Sequence, residues 1–104
     1  VPALVVLTTA PDRKTADSLA KALVREKLAA CVSVSAGAVS HYRWKGKIER
    51  AREALLVIKT LDRKFPALEK FISKNHPYDV PELVALRVAR GSRKYLSWLT
   101  ESVS

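Results

Sequence analysis

The chain is short of the residues that build cross-linked or reactive sites. Cysteine occurs once, at Cys31, which excludes an internal disulfide and any cysteine-rich zinc module. Glycine occurs three times, fewer than backbone phosphate cradles generally want, and there is no Walker loop, nucleophile elbow or Cys–His pair at a recognisable spacing. The sequence points away from an enzyme. No run of 18 apolar residues is present, so no membrane span is expected, and no charged head followed by an apolar segment marks a secretory signal. The chain opens on Val1 rather than Met, which leaves room for a removed leader. With a single thiol, a reducing, cytoplasmic compartment is the expectation. Negative charge is scarce too: 10 Asp plus Glu stand against 19 Lys plus Arg, a formal charge of +9 whose field favours anionic partners. What is plentiful is apolar side chain, 48% of 104 residues, enough for one core in a single domain over residues 1–104.

The apolar pattern resolves into seven elements. "ALVVLTT" (3–9) reads as a buried strand ending at the turn signal Pro11-Asp12. Asp12 is a plausible N-cap for an amphipathic helix with Ala16, Leu19, Ala20, Leu23 and Val24 on its apolar face. Residues 28–44 alternate as a strand, with Cys31, Ser33 and Ser35 on one face, Val32 and Val34 on the other, and Gly37 as a bend or bulge. "WKGK" (44–47) supplies a hairpin turn and residues 48–60 return as its partner strand. Asp62 is expected to cap a helix reaching Asn75, with Pro66 in its first turn, Phe65, Leu68, Phe71 and Ile72 inward, and Pro77 as its stop. A fourth strand is expected over Pro81–Ala89, and Gly91-Ser92 opens a terminal helix carrying Tyr95, Leu96, Trp98, Leu99 and Val103. The order β-α-β-β-α-β-α predicts an α+β, ferredoxin-like βαββαβ fold with an antiparallel sheet, a long bent hairpin and a C-terminal helix.

One length is too great for a compact monomer. The 17 residues 28–44, at roughly 3.3 Å each, would extend about 55 Å, against a radius of gyration of about 13 Å for a 100-residue domain. The Gly46 hairpin must then bend sharply or project, leaving Tyr42 and Trp44 in water unless another subunit covers them. An oligomer joined partly by strand pairing follows; the alternative folds the two aromatics back onto their own sheet.

The stretch "KNHPYDVPE" (74–82) concentrates the candidate chemistry. His76 is the foremost metal candidate because neutral imidazole ligates copper, zinc and nickel. Asp79 and Glu82 could add oxygens, although carboxylates this close along extended chain do not obviously converge. The alternative is a histidine hydrogen-bonded to hold the helix-to-strand connection. Cys31 offers a soft thiolate or, among Ala and Val, a small apolar side chain; His41 is a lesser candidate ligand. Arg43, Lys45, Lys47, Arg50 and Arg52 make the hairpin basic, fit for phosphates or simply solvated, with Arg43, Lys45 and Lys47 on one face if the strand runs straight. An RNA-recognition surface needs stacking aromatics on the first and third strands; these carry none, so no specific nucleic acid is expected.

Five segments in one order, "LAACVSV", "YRWKGKIE", "LLVIKT", "HPYDVPEL" and "GSRKYLSWL", closely resemble the CutA family of divalent-cation-tolerance proteins. The resemblance implies a ferredoxin-like protomer in a tight homotrimer with the hairpin pairing between subunits, and Tyr42, Trp44, Gly46, Lys47, Glu49 and Tyr78 are the expected interface residues. It also implies tolerance to divalent cations, copper above all, and no enzymatic reaction. Animal members are linked to membrane anchoring of acetylcholinesterase, and the trimer is similar to PII signalling proteins, which bind effectors between subunits. Bacterial members with proposed copper ligands carry Cys at the position of Thr8 and a His pair at Asn75 and His76; only His76 matches. Cys31, Glu49, His76, Tyr78 and Glu82 match family positions, while Arg50, Ala51 and Arg52 replace a run that is acidic in many relatives. The expectation is a weakly bound Cu(II) or other divalent ion, with His76 as principal donor and Cys31 and Glu82 secondary. The alternatives are a PII-like small-molecule regulator and a trimeric scaffold presenting a basic surface to a protein.

Overall fold

Branched side chains favour extended chain, and in the computed structural model, which describes residues 2–104, Ala3–Ala10 form β1. Asp12 caps helix α1 (Arg13–Arg25) by accepting the Thr15 N–H at 2.7 Å, and that bond holds its carboxyl below the usual carboxylate range. β2 (Cys31–Trp44) and β3 (Lys47–Leu61) make the hairpin, α2 spans Phe65–Asn75, β4 is Val84–Arg87, and α3 is Arg93–Ser102. The sheet has the order β2-β3-β1-β4 and every pairing is antiparallel. This is the ferredoxin-like α+β fold.

The alternation of side chains divides the sheet into two faces. Leu4, Val6, Leu56 and Ile58 point to one, where they meet Ala16, Leu19 and Leu23 of α1 and Leu68 and Ile72 of α2. Each fully buried Leu or Ile there stabilises the fold by roughly 1.5–3 kcal/mol. Among the described residues, the other face is covered at one end, where Leu99 and Val103 sit on Ala3, Ala30 and Leu61. Beyond α3 that face is apolar and only half-buried at Val5, Leu7, Leu55 and Val57, and exposed at Val84 and Leu86.

The register of β1 with β3 ends at Ala10 opposite Ala54, whereas β2 and β3 stay paired from Ala38–Glu53 out to Trp44–Lys47. The hairpin therefore projects as a two-stranded ribbon, and the molecule measures 44 × 25 × 23 Å. Its bend is a bulge between Ser35 and Ala38 with Gly37 at φ +91°, and its tip is a two-residue turn with Lys45 at φ +50° and Gly46 at φ +79°.

Several local expectations change. The Asp62 carboxylate does not cap α2: Asp62–Lys64 form one 3-10 turn, closed by the Phe65 N–H on the Asp62 carbonyl, and the helix begins beside Pro66. Residues 28–30 precede β2 rather than belonging to it, because the Leu28 and Ala29 N–H groups bond back to the Leu23 carbonyl. β4 is four residues long, not nine; the ladder starts only where Val84 meets Leu7, past the donorless Pro81. Val24 is 44% exposed because α1 touches the sheet along the narrower stripe Ala16, Leu19, Leu23. Lys47 pairs with Trp44 and shares its face, so it does not join Arg43; the tight turn at Lys45-Gly46 reverses the chain between them.

Candidate functional site

Pro77 forces His76 out of the helix into extended backbone, φ −82° and ψ 139°, and so directs its ring toward the end of β1. There Nε2–H donates to the Thr9 carbonyl at 2.6 Å, while Nδ1 accepts the Tyr78 N–H at 3.1 Å. Because Nδ1 accepts and a carbonyl can only accept, the ring is neutral with its proton on Nε2. The Tyr78 ring packs at 4.8 Å from that of His76, and its hydroxyl donates to Glu53 Oε2 at 2.6 Å. Burial, and next the hydrogen bond to Glu53, push the Tyr78 phenol above its ordinary range. A continuous strut thus runs from β1 through His76 and Tyr78 to β3.

Between this strut and the ribbon lies a cleft of about 750 Å³, with Tyr42, Trp44 and Glu53 on one side and Tyr78, Asp79 and Glu82 on the other. The register explains the ribbon wall: Ser40, Tyr42 and Trp44 oppose Ala51, Glu49 and Lys47, and Ala38 opposes Glu53, so these residues share a face. Arg43, Arg50 and Arg52 occupy the alternate positions. Tyr42 and Trp44 are 44% and 41% exposed, whereas Glu53 is only 8% exposed.

The expected metal ligands lie in different surroundings. His76 has both ring nitrogens hydrogen-bonded, Glu82 lines the cleft, and Cys31 stands beside α3 with Sγ 3.8 Å from Tyr95 Oη and 4.0 Å from Lys59 Nζ. Burial, then the contact with Cys31, raises the Tyr95 phenol. Asn75 turns its amide back onto the Phe71 carbonyl at 2.9 Å, and Thr8 is fully buried with no partner for Oγ1 among the described residues. Among the described residues, no three His, Cys, Asp or Glu side chains are grouped as a metal site. Of the expected interface residues, Tyr42, Trp44 and Tyr78 line the cleft, and Gly46, Lys47 and Glu49 lie at or near the ribbon tip.

Glu53 is the residue that motif reasoning missed. Its signal was present: counted in twos, Glu53 falls in line with Leu55 and Val57, one acid on a stripe otherwise apolar.

Fold and cleft together define a ferredoxin-like α+β domain with a projecting ribbon. The family model described as CutA1 divalent ion tolerance protein matches residues 4–102, and the chain belongs to that family. A divalent-cation tolerance protein CutA of Thermus thermophilus is 49% identical over 98 residues, covering 94% of this chain and 95% of the relative. A chloroplastic protein CutA of Arabidopsis thaliana is 46% identical over 98% of this chain, which spans 56% of that relative's length. Among solved structures, CutA1 of Oryza sativa superposes with a TM-score of 0.95 at 44% identity, covering 98% of this chain and 94% of the other. The family's role is divalent-cation tolerance, it is non-catalytic, and this chain is not an enzyme. No helix among the described residues is long and apolar enough to cross a membrane.

Proposed function

We propose that this chain serves divalent-cation tolerance as a homotrimer that meets copper or another divalent ion weakly and reversibly, in a reducing, cytoplasmic setting. Membership of the CutA1 family over residues 4–102 carries the reading. His76 is the principal donor, with Glu82 or Cys31 secondary. Nδ1 of His76 already accepts the Tyr78 N–H, so a metal at that nitrogen must displace a hydrogen bond, and this competition keeps affinity low. Because Cys31 lies apart from the cleft, a set of three or four donors has to draw on more than one subunit. Copper titration of the protein and of His76→Ala tests this. A tenfold or greater loss of affinity in the variant is expected; unchanged affinity removes His76 as donor, and no binding above background by either protein removes the metal reading.

The trimer is supported by the half-covered apolar sheet face and the ribbon with Tyr42 and Trp44 at its surface. Mass-resolved chromatography at micromolar concentration should give three times the 11.5 kDa chain mass, and a monomer peak would contradict it. A second reading, a PII-like regulator, is favoured by the cleft, whose volume lies in the range of small-molecule sites.

A further inference from the structure

We propose that the basic face of the ribbon docks on double-stranded DNA through its phosphates, without reading sequence. Val39 stands opposite Arg52, His41 opposite Arg50 and Arg43 opposite Ile48, so these side chains share one face of the ribbon. The ribbon's acids, Glu49 and Glu53, fall on the other face with Tyr42 and Trp44, where the subunit contacts are expected. The basic face thus carries three arginines and no acid, and it lies away from that contact surface. Arg43, Arg50 and Arg52 are all exposed, and among the described residues none has a carboxylate within ion-pair distance. Guanidinium forks without partners offer paired N–H donors to phosphate oxygens, and the field of a chain carrying +9 steers a polyanion toward them.

Spacing and the character of the rest of the face select among polyanions. Arg43, level with Ile48, lies four residues along the ribbon from Arg52, about 13 Å, against a major groove of about 12 Å that admits a two-stranded ribbon. Guanidiniums at the two ends of the face therefore reach phosphates on both rims of the groove. Val39 and Ile48, 43% and 73% exposed, carry no donor or acceptor for a base edge, and with the arginines committed to phosphate the sequence goes unread. Single-stranded nucleic acid wants aromatic platforms for its bases, and this face has no Phe, Tyr or Trp. An anionic lipid surface wants a continuous apolar stripe to bury, whereas Val39 and Ile48 stand at opposite ends of the face with Arg50 between them.

The probe is a fluorescein-labelled DNA duplex of about 20 base pairs, followed by anisotropy with EDTA present and NaCl raised from about 50 mM to about 200 mM. The protein should bind it, with affinity falling steeply across that range. The double variant Arg50→Gln, Arg52→Gln should bind tenfold or more weakly and lower the log–log salt slope by about 1.8, since each phosphate contact contributes about 0.9. Both side chains are exposed, so its unfolding temperature should not fall below that of the parent. Lys21→Gln, Lys70→Gln removes the same charge from exposed positions on α1 and α2 and should leave binding within threefold of the parent. Duplexes of alternating A·T and of alternating G·C should bind alike. No binding of the duplex, equal binding by the parent and the arginine variant, or an equal loss in the lysine variant overturns the proposal. So does a tenfold preference for one duplex sequence, or tighter binding of a single strand or of inorganic polyphosphate than of the duplex. Binding to phosphatidylglycerol vesicles without binding to the duplex would assign the face to a membrane and overturn it as well.

Discussion

Tyr78 makes two bonds, its N–H on His76 Nδ1 within its own segment and its O–H on Glu53 Oε2 of β3, while β1 is reached through the His76 Nε2–H on the Thr9 carbonyl. Tyr78→Phe removes only the second and leaves a buried carboxylate oxygen unmatched, so unfolding should become easier by about 1–2 kcal/mol, measured by urea titration. The same bond makes a pH prediction. The folded-state pKa of Tyr78 is raised above its ordinary value of about 10. The folded protein therefore keeps a proton that the unfolded chain gives up, and the stabilisation is complete below pH 10 and is lost as pH climbs above it. The stability gap between parent and Tyr78→Phe should narrow above pH 10, while the raised Tyr95 phenol leaves some alkaline loss in both. A gap independent of pH would show that Tyr78 ionises alike in both states. His76 itself was legible as a helix-end histidine; its pinned tautomer was not, since nothing in "NHPY" names Thr9 as its partner.

The ribbon is the element on which the site depends. Its tip places Lys45 at φ +50°, a left-handed conformation that asparagine adopts more readily than lysine. Lys45→Asn should raise stability by about 0.5 kcal/mol without altering the register, seen as a higher unfolding midpoint. Gly37, at φ +91° in the bulge, behaves oppositely: nothing lies within 4 Å of a Cβ there, but the backbone conformation itself penalises one. Gly37→Ala should destabilise by about 1 kcal/mol and loosen the ribbon's aim, weakening whatever occupies the cleft; hydrogen exchange along residues 38–53 is the check. Hairpin, bulge and turn were all readable from Gly37, Gly46 and the length of the alternating run. The extents of β4 and of the capping turn before α2 were not. Those depend on where Val84 meets β1 and on backbone closure at Asp62, and local residue preferences do not encode them.

At the scale of the whole molecule, charge and uncovered apolar surface dominate. A formal +9 is accompanied by one ion pair among the described residues, Arg25 with Glu26 at 3.8 Å and largely exposed, which contributes little. The positive surplus is therefore mostly self-repulsion, and raising NaCl from ~20 mM to ~300 mM should raise the unfolding temperature by screening it. A fall would mean that attractive pairs outweigh repulsion. Subunit association, if it covers Val84 and Leu86, should strengthen over the same range, because like-charged chains approach more easily in salt.

The sequence by itself determined the order of elements, the breaks at Gly37, Gly46 and Pro77, the basic surplus and the family, because periodicity, backbone preference and motif order are local properties read along the chain. Only the tertiary structure decided that His76 closes on Thr9, 67 residues away, and Tyr78 on Glu53, 25 residues away. Those meetings are set by strand register and by the bend of the ribbon, and a spacing along the chain carries no record of either.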